Sequence, residues 1–245
     1  MSSLAQTVQI CRTCGGGAPV DVHFCPQCTK ILTLGRQGDY FAFMSVPRRL
    51  TFDAAALEQR FRSLSRQFHP DFFYNATPAE RRASLERSSY LNDAFRTLKQ
   101  PVARVAYLLE LEGALTAADR SDSGASKHVP PALLEEVFAL NEELDEVRAL
   151  RAGGAPDVEW RARLRQAAIP IEEKRAEHER QLEELSTRWD TVADRQAMDA
   201  ERRAVLHALR DRVLERNYIN NLLGTIENEL DAGPSEAGSP EPEAR

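Results

Sequence analysis

Apolar residues recur at three- and four-residue intervals through most of residues 39–231, and no stretch outside the cysteine-rich start alternates apolar with polar as a strand would. This period places side chains on one face of a helix, so the chain is committed to a mainly α fold. Leu57, Phe61, Leu64 and Phe68 make one stripe, and Leu85, Leu91, Ala94, Phe95 and Leu98 a second. A third holds Leu133, Val137, Leu140, Leu144 and Val147; a fourth holds Ile171, His178, Leu182, Leu185 and Trp189. Val205, Leu209, Ile219, Leu223, Ile226 and Leu230 make the last.

Local chemistry sets the boundaries. Asp53 is an N-cap, and Thr77-Pro78-Ala79-Glu80 combines an N-cap, a first-turn proline and a capping-box glutamate. Pro101 opens a shorter helix that Gly113 ends. Gly153-Gly154-Ala155-Pro156 stops the third stripe, and Asp157 caps a long helix in which Pro170 is expected to force a kink or a break. Five segments follow: a cysteine-rich segment at 1–38, a helical domain at 39–112, a polar linker at 113–129, a second helical domain at 130–231 and a disordered tail at 232–245. Three long helices with short connections make the second domain an antiparallel bundle.

The net charge of −6 conceals a division. Residues 39–111 carry 11 Lys and Arg against 8 Asp and Glu, whereas residues 130–231 carry 15 against 23. Such asymmetry points to two surfaces with different partners rather than to nucleic acid. No apolar run approaches the roughly 20 residues of a membrane span, and the first ten residues have neither the basic start nor the apolar core of a signal peptide. The expected compartment is the cytoplasm.

All four cysteines fall in two Cys-x-x-Cys pairs, Cys11/Cys14 and Cys25/Cys28, ten residues apart. One tight turn aims both sulfurs of such a pair at an ion, and two pairs supply the four thiolates of tetrahedral zinc. Gly15 and Pro26 suit the turns. Two disulfides are the alternative, disfavoured in a reducing compartment, and a redox pair is another, although its usual fold is missing. We expect one structural zinc per chain, closed to hydrolytic chemistry, without which some 30 residues do not fold. His23 is then superfluous as a ligand and is expected on the surface.

The helix of Leu57 to Phe68 ends on His69-Pro70-Asp71. Pro70 has no amide proton and drives His69 out of the helical region, which leaves Asp71 on a loop. Taken alone this is an ordinary helix stop. However, Arg62 and Arg66 lie roughly 140–180° from the apolar stripe, so a basic strip leads to the carboxylate. No nucleophile, acid partner or pocket accompanies His69 that would make it catalytic.

Residues Asp39 to about Leu98 resemble a J-domain. The resemblance rests on Asp39-Tyr40-Phe41, the basic helix, His69-Pro70-Asp71, and Tyr90-Leu91-Asn92-Asp93-Ala94-Phe95 on the returning helix. It implies that His69, Pro70 and Asp71, with Arg62 and Arg66 as steering charges, dock on the ATPase of an HscA/DnaK-type chaperone and stimulate hydrolysis there. Beyond the J-domain, Leu98-x-x-Pro101-x-x-Arg104-x-x-Tyr107-Leu108-Leu109-x-Leu111-x-Gly113 and Asn141-Glu142-Glu143-Leu144-Asp145-Glu146 are similar to the HscB iron–sulfur co-chaperones, some of which also carry a tetracysteine zinc segment. The polar linker, Pro170 and the acidic tail depart from that pattern.

The family resemblance implies that the bundle binds an IscU-type scaffold through apolar and acidic positions of its first helix and an aromatic on its last. Leu134 and Phe138 lie about 100–140° from the core stripe, and Glu142 and Glu146 extend the same row; Tyr218 lies off the seam of the last helix. Packing of these residues inside the bundle is the competing reading. The expectation is a co-chaperone without enzymatic activity of its own, binding a chaperone and a scaffold, with neither nucleic acid nor membrane; self-association is compatible with it. A general J-protein for other clients is the alternative.

Overall fold

A computed structural model describes residues 8–20, 22–34, 39–116, 133–195 and 198–231. Most of the expected linker and all of the expected tail lie outside the described residues. The elements are β1 (Val8–Ile10), β2 (Gly17–Pro19), α1 (Tyr40–Phe43), α2 (Ala54–Phe68), a 3-10 turn (Pro70–Phe73), α3 (Pro78–Lys99), α4 (Pro101–Leu111), α5 (Leu134–Ala152), α6 (Asp157–Asp194) and α7 (Asp199–Asp231). The fold is mainly helical, with one antiparallel two-stranded ribbon that pairs Val8 with Pro19 and Ile10 with Gly17.

Two compact units divide the chain. The first comprises Met1–Ala114 and Ser186–Leu206, and the second Leu115–Leu185 and His207–Arg245. In the first unit the expected caps are present: the Asp53 carboxylate accepts from the Ala55 N–H at 2.8 Å, and Thr77 and Glu80 close a capping box. Contacts between α2 and α3 run in opposite chain directions. Glu58 pairs with Lys99 at 3.0 Å, Phe61 stacks on Phe95 with centroids 4.2 Å apart, and the Phe68 carbonyl accepts from the Ser84 and Ser88 hydroxyls at 2.6 and 3.0 Å. An antiparallel hairpin results, filled by Leu57, Leu64, Phe68, Leu91, Ala94 and Leu98.

The end of α6 completes this unit. Asp190 is 5% exposed, and its carboxylate accepts from the Leu50 N–H at 2.8 Å, the Thr51 N–H at 2.9 Å and the Thr51 hydroxyl. Arg49 grips both oxygens of Asp194 at 2.8 Å, and Arg202 lies over the Trp189 ring.

In the second unit α5, α6 and α7 share a core of Leu133, Leu140, Leu144, Val147, Trp160, Leu164, Ile171, Ile219, Leu223 and Ile226. The break that Pro170 allowed for is absent here, and one expectation fails in the hairpin. α6 runs without a break through Pro170. Pro170 and Gln166, whose carbonyl loses its partner, are both exposed, which leaves that carbonyl open to solvent, while Leu164 and Ile171 hold the helix to the core. Leu85, placed by sequence on the buried stripe of α3, is 58% exposed; the stripe runs instead through Ala83, Ser84, Arg87 and Leu91. No helix of the described residues is long and apolar enough to cross a membrane.

Candidate functional site

Three places carry the residues singled out by sequence. At the first, α2 ends on the fully buried Phe68, and His69 takes an extended backbone (φ −56°, ψ 126°) ahead of the turn that Pro70 opens. The Asp71 N–H donates to His69 Nδ1 at 3.3 Å, and Asp71 Oδ2 lies 3.5 Å from the same nitrogen. The imidazole is therefore held locally, whereas the Asp71 side chain is 86% exposed. Arg62 is exposed and paired loosely with Glu58 at 3.4 Å; Arg66 is exposed in the last turn of α2. Helix, turn and carboxylate thus present two guanidinium groups and an anion to solvent.

Sequence reasoning overlooked an apolar accompaniment to this loop. Phe72, Tyr74 and Leu85 are 73, 76 and 58% exposed. Tyr74 and Leu85, with Pro70, Asp71, Asn75 and Arg81, line one shallow open depression. Large apolar side chains left in water beside a charged loop mark a contact surface more often than chance. The signal was available for Leu85, which falls off the α3 stripe at 100° per residue.

The second place is the four-cysteine segment. Cys11 and Cys25 are buried, Cys28 half-buried and Cys14 exposed, all as free thiols. Two turns of matching construction hold them. In the first, the Gly15 N–H donates to Cys11 O and the Cys11 N–H to Gly16 O; in the second, the Thr29 N–H donates to Cys25 O and the Cys25 N–H to Lys30 O, all at 2.8–2.9 Å. Each turn requires a left-handed residue directly after its second cysteine, supplied by Gly15 (φ 73°) in one and Thr29 (φ 58°) in the other.

The sulfurs of Cys11 and Cys28 are 3.7 Å apart, as are those of Cys14 and Cys25, and all four lie within 4.8 Å of one another. A zinc–sulfur bond of about 2.3 Å gives a tetrahedron with edges of about 3.8 Å, so the donor set fits a tetrahedral thiophilic cation. The electrostatics agree. The backbone N–H groups of Cys14 and Thr13 pull Cys11 down to about 6. The Lys30 N–H also favours the Cys28 thiolate, but burial and the three neighbouring sulfurs outweigh it and push Cys28 up to about 12. Four thiolates this close repel one another until a cation shares their charge.

His23 is half-buried rather than free on the surface. Its Nδ1 lies 2.8 Å from a terminal nitrogen of Arg87, and its ring sits edge-on against Phe43 and Phe68 at centroid distances of 4.9 and 4.8 Å. The cysteine segment packs on the helical hairpin, and that burial is invisible in a stretch read alone.

The third place is α5. Leu134 and Phe138 are 40 and 67% exposed, and Glu142 continues their row in solvent. Glu146 is engaged by Arg163, which also holds Glu143 at 3.0 Å, so part of the acidic rim is already neutralised. Tyr218 on α7 is half-buried and packs with Leu222 against the core of the second unit.

No family model matches the chain. Over 142 residues it is 34% identical to the human iron–sulfur cluster co-chaperone protein HscB, a stretch covering 57% of this chain and 58% of the human protein. The crystal structure of human co-chaperone protein HscB superposes over 90% of this chain and 98% of its own, with a TM-score of 0.63 at 24% identity. Chaperone HscB from Vibrio cholerae covers 79% and 98%, with a TM-score of 0.52 at 25% identity. Over those 142 residues in sequence, and over most of the chain in fold, the chain is thus similar to the HscB iron–sulfur cluster co-chaperones.

Proposed function

We propose that this chain is a J-domain co-chaperone that carries an IscU-type iron–sulfur scaffold to an HscA/DnaK-type chaperone and stimulates its ATPase, promoting transfer of the cluster as cargo. The observation that carries the reading is the solvent-facing Asp71, set at the end of a basic helix in a homologue of HscB. Nucleotide and hydrolysis belong to the partner. Here the chemistry is recognition: Arg62 and Arg66 steer an acidic surface, His69 and Pro70 set the backbone, and Asp71 gives an anion to a cationic group of the chaperone. Phe72, Tyr74 and Leu85 add apolar area beside it.

Scaffold binding falls to Leu134, Phe138, Glu142 and Glu146 on α5, with Tyr218 supporting from α7. Apolar anchors flanked by acid suit a partner with a basic rim. Cys11, Cys14, Cys25 and Cys28 hold one zinc ion, supported by the tetrahedral fit of their sulfurs. When bound, the ion cross-links the two turns and supplies no catalysis, because protein thiolates take all four positions. The cytoplasm, which keeps thiols reduced, is the matching compartment.

The test is steady-state ATPase of the cognate chaperone with scaffold present. The intact chain stimulates it, and Asp71→Asn or His69→Gln removes the stimulation while scaffold affinity stays the same. Equal stimulation by either variant refutes the docking role.

A further inference from the structure

Arg87 joins the four-cysteine segment to α3. Its Nε donates to Leu32 O at 2.7 Å, one terminal nitrogen donates to Thr33 O at 3.3 Å, and the other lies 2.8 Å from His23 Nδ1. The residue is 2% exposed, and burial lowers its pKa to about 10. A buried guanidinium is tolerated only while its hydrogen bonds are made, so α3 holds the segment in one register. Lys30 adds a second tie to buried Glu80 at 3.0 Å.

A third tie reaches the chaperone-facing loop. His23 and Phe24 come just before Cys25, and their rings lie 4.8 and 6.2 Å from that of Phe68. Phe68 is the last residue of α2 and the direct neighbour of His69. Its ring is thus held from the metal segment while its carbonyl is held by Ser84 and Ser88 of α3. Among the described residues the segment's own core is small: Cys11, Ala18, Cys25 and Leu32, with Val22 and Cys28 partly buried against them. So few apolar groups do not order some 27 residues without the ion, and the pressure on Phe68 depends on the metal.

We propose that the four-cysteine segment is a metal-dependent clamp on the loop of His69, Pro70 and Asp71, with His23 and Phe24 as its positioning residues. With the ion bound, the second turn seats His23 and Phe24 on Phe68 and fixes the start of the loop. Without it the loop loses preorganisation and must be ordered at the moment of docking, which weakens the chaperone complex. The consequence for docking rests on the function proposed above; the clamp itself needs no partner to be measured.

Hydrogen exchange of the full chain, zinc-loaded and chelator-stripped, decides it. Stripping is expected to speed exchange at least tenfold in residues 11–32 and again in 68–76, with residues 134–152 unchanged as the control. A His23→Ala/Phe24→Ala variant that still binds one zinc reproduces the effect at 68–76 with 11–32 still protected. Acceleration confined to 11–32, or a double variant with normal exchange at 68–76, overturns the clamp. In a parallel titration both treatments weaken chaperone affinity several-fold and leave scaffold affinity unchanged. If Asp71→Asn leaves chaperone affinity unaltered, the docking reading fails, and exchange at 68–76 still decides the clamp.

Discussion

The Leu50 backbone N–H donates to Oδ1 of Asp190 at 2.8 Å, across 140 residues of sequence. The same carboxylate takes the Thr51 N–H and hydroxyl, so one buried side chain satisfies three donors of the segment leading into α2. Asp190→Ala strands those donors. We expect a loss on the order of 3 kcal/mol, read as a lower denaturant midpoint, with Asp190→Asn losing less because one acceptor remains. A loss below about 1 kcal/mol for the alanine variant contradicts this account of the contact.

Thr29 occupies a left-handed position that Gly15 fills in the matching turn. A β-branched residue pays roughly 1–2 kcal/mol there. Thr29→Gly should therefore tighten metal retention, measured as slower zinc release to a competing chelator, while Gly15→Thr should hasten it. The reverse order would show that the two turns are not equivalent.

Leu134 and Phe138 are exposed on α5 and contribute little to the core of the second unit. Leu134→Ala/Phe138→Ala should weaken scaffold affinity by about 2–4 kcal/mol, measured by calorimetry, with the far-ultraviolet helical signal and thermal midpoint unchanged. A drop in helicity would place both residues in the fold instead of the interface.

His178 is 3% exposed, and burial keeps its pKa below the ordinary value, against the opposing pull of its hydrogen bond to the Arg212 carbonyl. The folded chain thus holds this imidazole neutral at a pH where the unfolded chain protonates it. Its contribution is intact above the unfolded value of about 6.5 and is lost as pH falls towards the lower folded value. Denaturant midpoints taken at pH 7.5 and 5.5 should fall with acid, and His178→Phe should flatten that interval. Identical slopes in the two proteins would exclude His178 as the source.

Much of the hairpin was legible because its signals are local. Asp53, the Thr77/Glu80 box and Pro101 each act within one turn of themselves, and the Cys-x-x-Cys pairs carry their geometry in four residues. Pro170 makes no break because the rule for helix interiors is also local, whereas Leu164 and Ile171 on either side of it are buried in the core. Arg87, His23 and Asp190 share another kind of opacity. Each satisfies groups more than 50 residues away, and nothing near it in the chain names its partner. Arg87 alone left a trace, since it sits on the i, i+3, i+4 row of Ala83, Ser84 and Leu91 where a charge has no ordinary place.

The exposure of Asp71 carries a genetic consequence. A side chain 86% in water is replaced at little cost to the fold, so the Asp71→Asn chain accumulates normally and keeps an intact α5. Under the proposed role it still captures scaffold and never hands it on. Overproduced beside the normal chain, it should act as a dominant-negative poison of cluster assembly, and adding Leu134→Ala/Phe138→Ala to the same molecule should relieve the toxicity.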